Sequence, residues 1–349
     1  MALPSRRITR VCAVLLLLAC HSQKNAHREP QEAALTNTLP VADTLMPPTA
    51  EAIPTLPRYA VRPAEWYAYR MTRIDTLRQD TLLQTSFIEQ YYTKTVRAVH
   101  PDGRIECSLR IDSIRAHFTA AGTTGVLERF AYNSADSSDR NNPNYAHLTA
   151  LLGTDVRMLI TPDGRVDSIF GLEAVLQKLR RLSPDTLPES LDELMKQRLE
   201  EQMYRPLQQE YLAFPTEPLD STWSWRHEYP DVLASVFPTR SIAEYRIIGT
   251  RPARTGTLLD IEASLRSQPL QRRLRQGSLE ASLQKEALSG SGRILVDAQR
   301  GYTVAKNITL QTRFEVLLRD TLQKQSQRLQ QEAYTRVQFQ LAQQGWSKK

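Results

Sequence analysis

The chain has 349 residues, 41% hydrophobic and 24% charged, with a formal net charge of +7 and three cysteines. It is long enough for one large domain or two ordinary ones, too apolar for a wholly disordered chain and too charged for a polytopic membrane protein. Three cysteines exclude a disulfide framework, and only 13 glycines argue against a glycine-rich phosphate cradle.

Arg6, Arg7 and Arg10 form a basic start without an acid, followed by the aliphatic run Val11–Ala19. Nine helical residues rise about 14 Å, under half of a ~30 Å hydrocarbon core, so this run reads as a signal-peptide core over 1–19 and not as a spanning helix. Its end, Leu17-Leu18-Ala19-Cys20, resembles the lipobox of bacterial lipoproteins, with Leu18 departing from the usual small residue. The resemblance implies cleavage before Cys20, lipidation there, and attachment to a membrane. His21 follows where an Asp often marks inner-membrane retention, which points to the outer membrane, facing the periplasm. Residues 20–57 carry Pro30, Pro40, Pro47, Pro48, Pro54 and Pro57 and no aromatic residue, and so read as a disordered tether.

From residue 58 the pattern is mainly β. Ile105, Cys107, Leu109 and Ile111 alternate with Glu106, Ser108, Arg110 and Asp112; Leu259, Ile261, Ala263 and Leu265 alternate with Asp260, Glu262, Ser264 and Arg266. Between Tyr302 and Leu318 the even positions are largely apolar. A period of two puts one face on a core and one in water, the pattern of antiparallel sheet. Pro101-Asp102-Gly103 and Pro162-Asp163-Gly164 read as hairpin turns. Further strands are expected at 65–74, 85–99, 125–133, 222–229 and 240–249, with 327–342 ambiguous but read as strand. A helical insert is expected at about 171–211: Leu172, Val175, Leu176 and Leu179 form one stripe, and Leu191 to Tyr211 a second, kinked or ended at Pro206. A shorter helix is expected at 145–152. The simplest arrangement is a large curved antiparallel sheet or half-barrel, with helices on its concave side.

Catalytic signatures are missing. The six histidines show no i,i+4 pair, and no Cys-x-x-Cys, Gly-x-Ser-x-Gly, P-loop or dinucleotide fingerprint occurs. Ser289-Gly-Ser-Gly292 reads as turn material before a strand, and Cys107 as inert core. His117 is expected just past a strand end, and Arg272-Arg273-x-Arg275 on a solvated loop or element face. Trp223 and Trp225, two apart on one strand face, are weak candidates for a ligand cavity, with core packing the stronger reading. No metal and no cofactor is expected. The mild charge, about +6 from residue 58 onward, does not suit nucleic acid.

Cys20, the proline-bearing tether, the Pro-Asp-Gly hairpins and Asp220-Ser-Thr-Trp223 resemble a set of uncharacterised bacterial lipoproteins with one β-rich domain. The architecture is also distantly similar to the half-barrel lipid carriers of lipoprotein localisation, where a curved sheet wraps an apolar ligand and helices plug the mouth. That resemblance implies a non-catalytic envelope lipoprotein binding an apolar ligand, such as a lipid, or an envelope protein. An accessory subunit of an envelope complex is the alternative reading, and a hydrolase with carboxylates from distant strands is a third. Metabolic labelling tests the anchor: the wild-type chain incorporates palmitate and Cys20→Ala loses it.

Overall fold

The computed structural model describes residues 45–47, 53–182, 192–233, 236–253 and 256–347. Cys20, residues 1–19, most of the tether and Pro188 lie outside the described residues. The fold is one large open antiparallel sheet of 13 strands. The strands are β1 Glu65–Gln79, β2 Leu82–Val99, β3 Ile105–Gly122, β4 Gly125–Asn133, β5 Asp155–Ile160 and β6 Val166–Phe170, then β7 Ser224–Leu233, β8 Phe237–Ala253, β9 Gly256–Pro269, β10 Arg273–Gln276, β11 Leu279–Asp297, β12 Thr303–Asp320 and β13 Gln325–Trp346. Between them lie the helices α1 Ser137–Arg140, α2 Ala146–Leu151, α3 Glu173–Leu182 and α4 Asp192–Glu210.

The order is β6-β5-β3-β2-β1-β13-β12-β11-β9-β8-β7, with β4 on β3 and β10 on β11. The first and last strands thus pair at the centre, and β6 and β7, consecutive along the chain, are opposite ends of that path. The helical insert α3–α4 joins them. It meets both: the Val166 amide on β6 donates to the Gln208 side chain (2.8 Å), and the Trp225 indole on β7 donates to the Ala213 carbonyl (2.8 Å). Leu207, Tyr211, Leu212 and Phe214 sit buried in one core with side chains from strands on both sides of the centre, among them Val96, Met158, Ile261, Ile294 and Val337. A second, smaller cluster on the same sheet face holds Leu233, Phe237, Leu283, Phe314, Val316 and Leu329, near the opposite ends of their strands.

The alternating segments lie as their period requires. Ile105, Cys107, Leu109 and Ile111 are buried on β3, Leu259, Ile261 and Ala263 on β9, and residues 325–346 form a strand. Five expectations change. Helix α4 runs through Pro206 to Glu210; burial of Leu207 and Tyr211 and the Gln208 bonds outweigh a proline cost of about 3 kcal/mol. Ser289–Gly292 is not a turn but part of β11. A Cβ at Gly290 would meet Leu310 Cδ2 at 2.6 Å and one at Gly292 the Asn307 carbonyl at 2.8 Å, so these glycines permit close approach of β12. His117 lies within β3, its ring stacked on Phe87 at 5.7 Å. Trp223 precedes β7, in a turn at φ 48°, so the two tryptophans do not share a strand. The end of the tether packs on the domain: Met46 bridges Thr250 through reciprocal amide-to-carbonyl bonds, and Ile53 is buried, because it is an apolar side chain within reach of the core.

Gly164 ends a Pro-Asp-Gly turn at φ 88°, and a Cβ there would strike the Leu212 carbonyl and lie 2.6 Å from Tyr59 Cε2. Gly153 has φ 65° with open space around its Cα. Gly164→Ala is expected to cost roughly 2–4 kcal/mol and Gly153→Ala only about 1–2, by urea denaturation, since the second incurs backbone strain alone.

Candidate functional site in the curved sheet

The inner face has two parts. In the first, near the turns at Asp102, Asp163 and Gly301, the sheet is filled by its own chain. Lys94 on β2 pairs with Glu210 at the end of α4 (2.6 Å), and its ammonium lies 4.5 Å from the Tyr69 ring centre and 4.4 Å from that of Tyr211. Tyr92 stacks on Tyr69 with ring centroids 5.6 Å apart, its buried hydroxyl close to Glu210. Lys306 on β12 donates to the Gln209 carbonyl, the Tyr59 hydroxyl accepts from the Leu212 amide (2.9 Å), and the Phe214 amide donates to the Asp163 carbonyl (2.8 Å). Burial raises the phenols of Tyr69, Tyr92 and Tyr211 well above their ordinary range. It also pushes the Cys107 thiol up to about 12, which makes it a neutral core group. The space left beside Lys94 is about 30 Å³, lined by tyrosines, Val96 and Cys107, enough for a water but not for a lipid.

The second part lies between the two packed clusters. Cross-strand partners make one row of Asp75, Thr335, Leu310, Gly290 and Leu265, and a second of Leu77, Ala333, Thr312 and Leu288. Ile88 on β2 and Ile308 on β12 flank them on the same face. These side chains are half-buried, and among the described residues no helix makes an extensive contact with the central strands here. Polar groups interrupt the surface: Thr312 lies in the second row, and Asp75 accepts from Arg73 (2.8 Å), Ser86 (3.0 Å) and Thr335 (2.6 Å). The arrangement is a largely aliphatic face with one ion pair set in it.

The outer face carries a different hollow of about 920 Å³ across β7, β8, β9, β11 and β12. Its floor is polar, with Arg246 paired to Glu262 (2.7 Å) and Arg293 to the buried Asp260 (2.6 Å). Those charges satisfy one another, and Trp225, Tyr245 and Ala263 add apolar surface to the lining.

Of the residues singled out in sequence, Trp225 faces inward, stacked on Tyr245 with centroids 5.2 Å apart. It holds the inserted segment and, with Tyr245, lines part of the hollow of about 920 Å³; Trp223 packs at the edge of the same core. Asp102 and Asp163 pair with Arg104 and Arg165 in their turns. Arg273 and Arg275 belong to β10, and Arg272 precedes it and pairs with Glu286. Sequence reading missed Lys94, Lys306 and Glu210. The only signal was a lysine on the inward parity of a strand, at Thr93-Lys94-Thr95 and Ala305-Lys306-Asn307, where an apolar residue is due.

These features define a mainly β protein built on one open, internally plugged sheet. It belongs to DUF6263, a family of unknown function, whose model matches residues 102–302. No curated protein matches the sequence. Among solved structures, a lipovitellin structure concerned with lipid–protein interactions is similar at 8% identity and TM-score 0.47, over 82% of this chain and 26% of that one. The chain thus spans about a quarter of the lipovitellin chain. OccK7 (OpdD) of Pseudomonas aeruginosa is similar at 7% identity and TM-score 0.25, over 81% of this chain and 99% of that one. OccK5 (OpdH) of the same organism gives 7% and 0.18, over 80% and 98%.

Lys306 is fully enclosed, and burial pushes its pKa down from 10.5 to about 8. Between those values the unfolded chain binds more protons than the folded one, so Lys306 makes stability rise with pH across that window. The stability difference between wild type and Lys306→Met is expected to move in favour of wild type from pH 8 to 10.5, by roughly 3 kcal/mol at most. Urea titrations of both proteins at each pH check it; the buried tyrosines and Cys107 titrate in both and cancel in the difference.

Proposed function

We propose that this protein is a non-catalytic lipoprotein of the bacterial envelope, tethered through Cys20 to the periplasmic face of the outer membrane, that binds an amphiphilic lipid on the open half of its curved sheet. The observation that carries the reading is the set of half-buried inner-face residues Leu77, Leu265, Ile308 and Leu310 between two packed clusters, with Ile88 and Leu288 at the cluster margins and Arg73 and Asp75 beside them. Leaving such a face half-covered forgoes about 25 cal/mol per Å² of apolar surface. An acyl chain laid along the strands recovers that energy, and its polar end has the Arg73–Asp75 station within reach. The lipobox resemblance supports the anchor, and the basic start of the chain supports export.

The test is native mass spectrometry of protein gently extracted from membranes, followed by titration with a fluorescent fatty acid. A co-purified lipid is expected, and Ile88→Glu with Leu310→Glu should weaken binding at least tenfold, about 1.4 kcal/mol, while leaving the plugged half folded. Protein that carries no lipid and takes up no fatty acid removes this reading.

A further inference from the structure

The turns at the two ends of the sheet differ in chemistry. At the plugged end they are polar: His100-Pro-Asp-Gly-Arg104 and Thr161-Pro-Asp-Gly-Arg165. The other end carries the β1–β2, β3–β4, β9–β10, β10–β11 and β12–β13 connections, and Val236 before β8. There the rule that turns favour small polar residues is broken. Leu322 (82% exposed), Val126 (66%), Leu270 (64%) and Leu127 (63%) are the four most exposed large apolar side chains among the described residues. All four stand at this end, Leu322 and Leu270 on connections and Val126 and Leu127 at the start of β4, and Val236, Leu279 and Leu83 join them at 53%, 43% and 37%. Single exposed leucines are ordinary on any surface; the plugged end also exposes Trp346 (54%), Met46 (51%) and Leu45 (42%), but none there reaches the exposure of these four.

We infer that this rim of turn tips is a membrane-contacting face that seats itself in the headgroup layer of a phospholipid bilayer. Three features select a bilayer over a protein partner. The apolar tips stand apart on separate turns around an open concave surface, whereas a stable protein interface needs a contiguous patch of about 800 Å² on each partner. A fluid headgroup layer accepts separated tips one by one. The segments 78–83, 122–129, 232–237, 270–280 and 319–325 together hold seven Lys and Arg against four Asp and Glu. Arg273, Arg275, Arg319 and Lys324 among them make no ion pair among the described residues, so they are free to meet lipid phosphates. Finally, the chain enters the domain at the opposite end, where the Tyr59 amide donates to the Pro162 carbonyl. The rim is therefore a second contact, separate from any anchor at Cys20, and it stands whether or not the open face binds a lipid.

The full-length protein is used, with an environment-sensitive dye at Leu322→Cys or Val126→Cys, and at Gln299→Cys on an exposed turn of the plugged end as control. Cys107 is buried, and a control without an introduced cysteine, treated in parallel, measures any dye taken up at Cys12 or Cys20 for subtraction. With vesicles of phosphatidylglycerol and phosphatidylcholine, emission at 322 and 126 is expected to rise at least twofold and to be quenched by nitroxides on the acyl chains, with no change at 299. Adding Leu270→Asp and Leu279→Asp, both exposed, should cut the response at 126 severalfold without lowering Tm. Unchanged emission at 322 and 126 overturns the inference, as does equal quenching at 299, which would mean the anchor alone lays the body on the bilayer. Shielding of both tips without vesicles, in a protein that sediments as a dimer, also overturns it and makes the rim a contact between copies.

Discussion

The fold depends on one bridging contact. Strands β6 and β7 follow one another in the chain yet lie at opposite ends of the main strand path, so everything between them must cross the opening. Segment 207–214 does so, taking a backbone donor from β6 and a side-chain donor from β7. An open sheet has two unpaired margins, and natural proteins cover such margins or blunt them. Here the covering element also supplies the core: Leu207, Tyr211, Leu212 and Phe214 are what the curled strands close upon. Without that segment the strands on the two sides of the β1–β13 pair would share no common interior.

Seating this plug correctly is a matter of charge as well as shape. Apolar side chains alone accept neighbouring registers at modest cost. A carboxylate inside a ring of tyrosines does not, because a buried charge without its partner costs several kcal/mol. Glu210 meets Lys94, and the carbonyl of Gln209 meets Lys306, so a shift of one helical position would strand two ammonium groups in a dry interior. Whatever net stability the pair contributes, it penalises every other placement of the segment. The depressed pKa of Lys306 is the visible cost of that arrangement.

Much of this architecture was legible from period and turn chemistry. Strict alternation at 105–112 and 259–266 and the Pro-Asp-Gly turns fix strands and faces locally, so antiparallel sheet followed directly. The amphipathic stripes at 172–179 and 191–211 placed the insert. Less legible were features set by partners far along the chain. Ser289–Gly292 has turn composition, but its glycines answer to Leu310 and Asn307 on the next strand. Pro206 should have ended a helix, but burial of the following residues carries the helix past it. Lys94 and Lys306 are 212 residues apart in sequence, and nothing local reveals that Glu210 lies near both. The open apolar rows were visible as inward positions, but alternation cannot say which inward positions a helix will cover.

That partial covering is the strongest functional argument. Strands β11, β12 and β13 have 19, 18 and 22 residues, which at ~3.3 Å per residue reach roughly 60–70 Å. Among the described residues, the plug and its helices shield the half near Asp163 and Gly301. Stability alone would be served by shorter strands ending where the plug ends, since the extra length leaves Leu310 and Ile308 half-exposed and adds ordering entropy for every residue. The chain holds the extra length nonetheless, keeps its inner face apolar, anchors the far end with a separate cluster around Phe237 and Phe314, and dresses the turns beyond with leucine and valine. Among the described residues nothing covers this framed, largely apolar surface, and the proposed lipid binding and membrane-facing rim both rest on that.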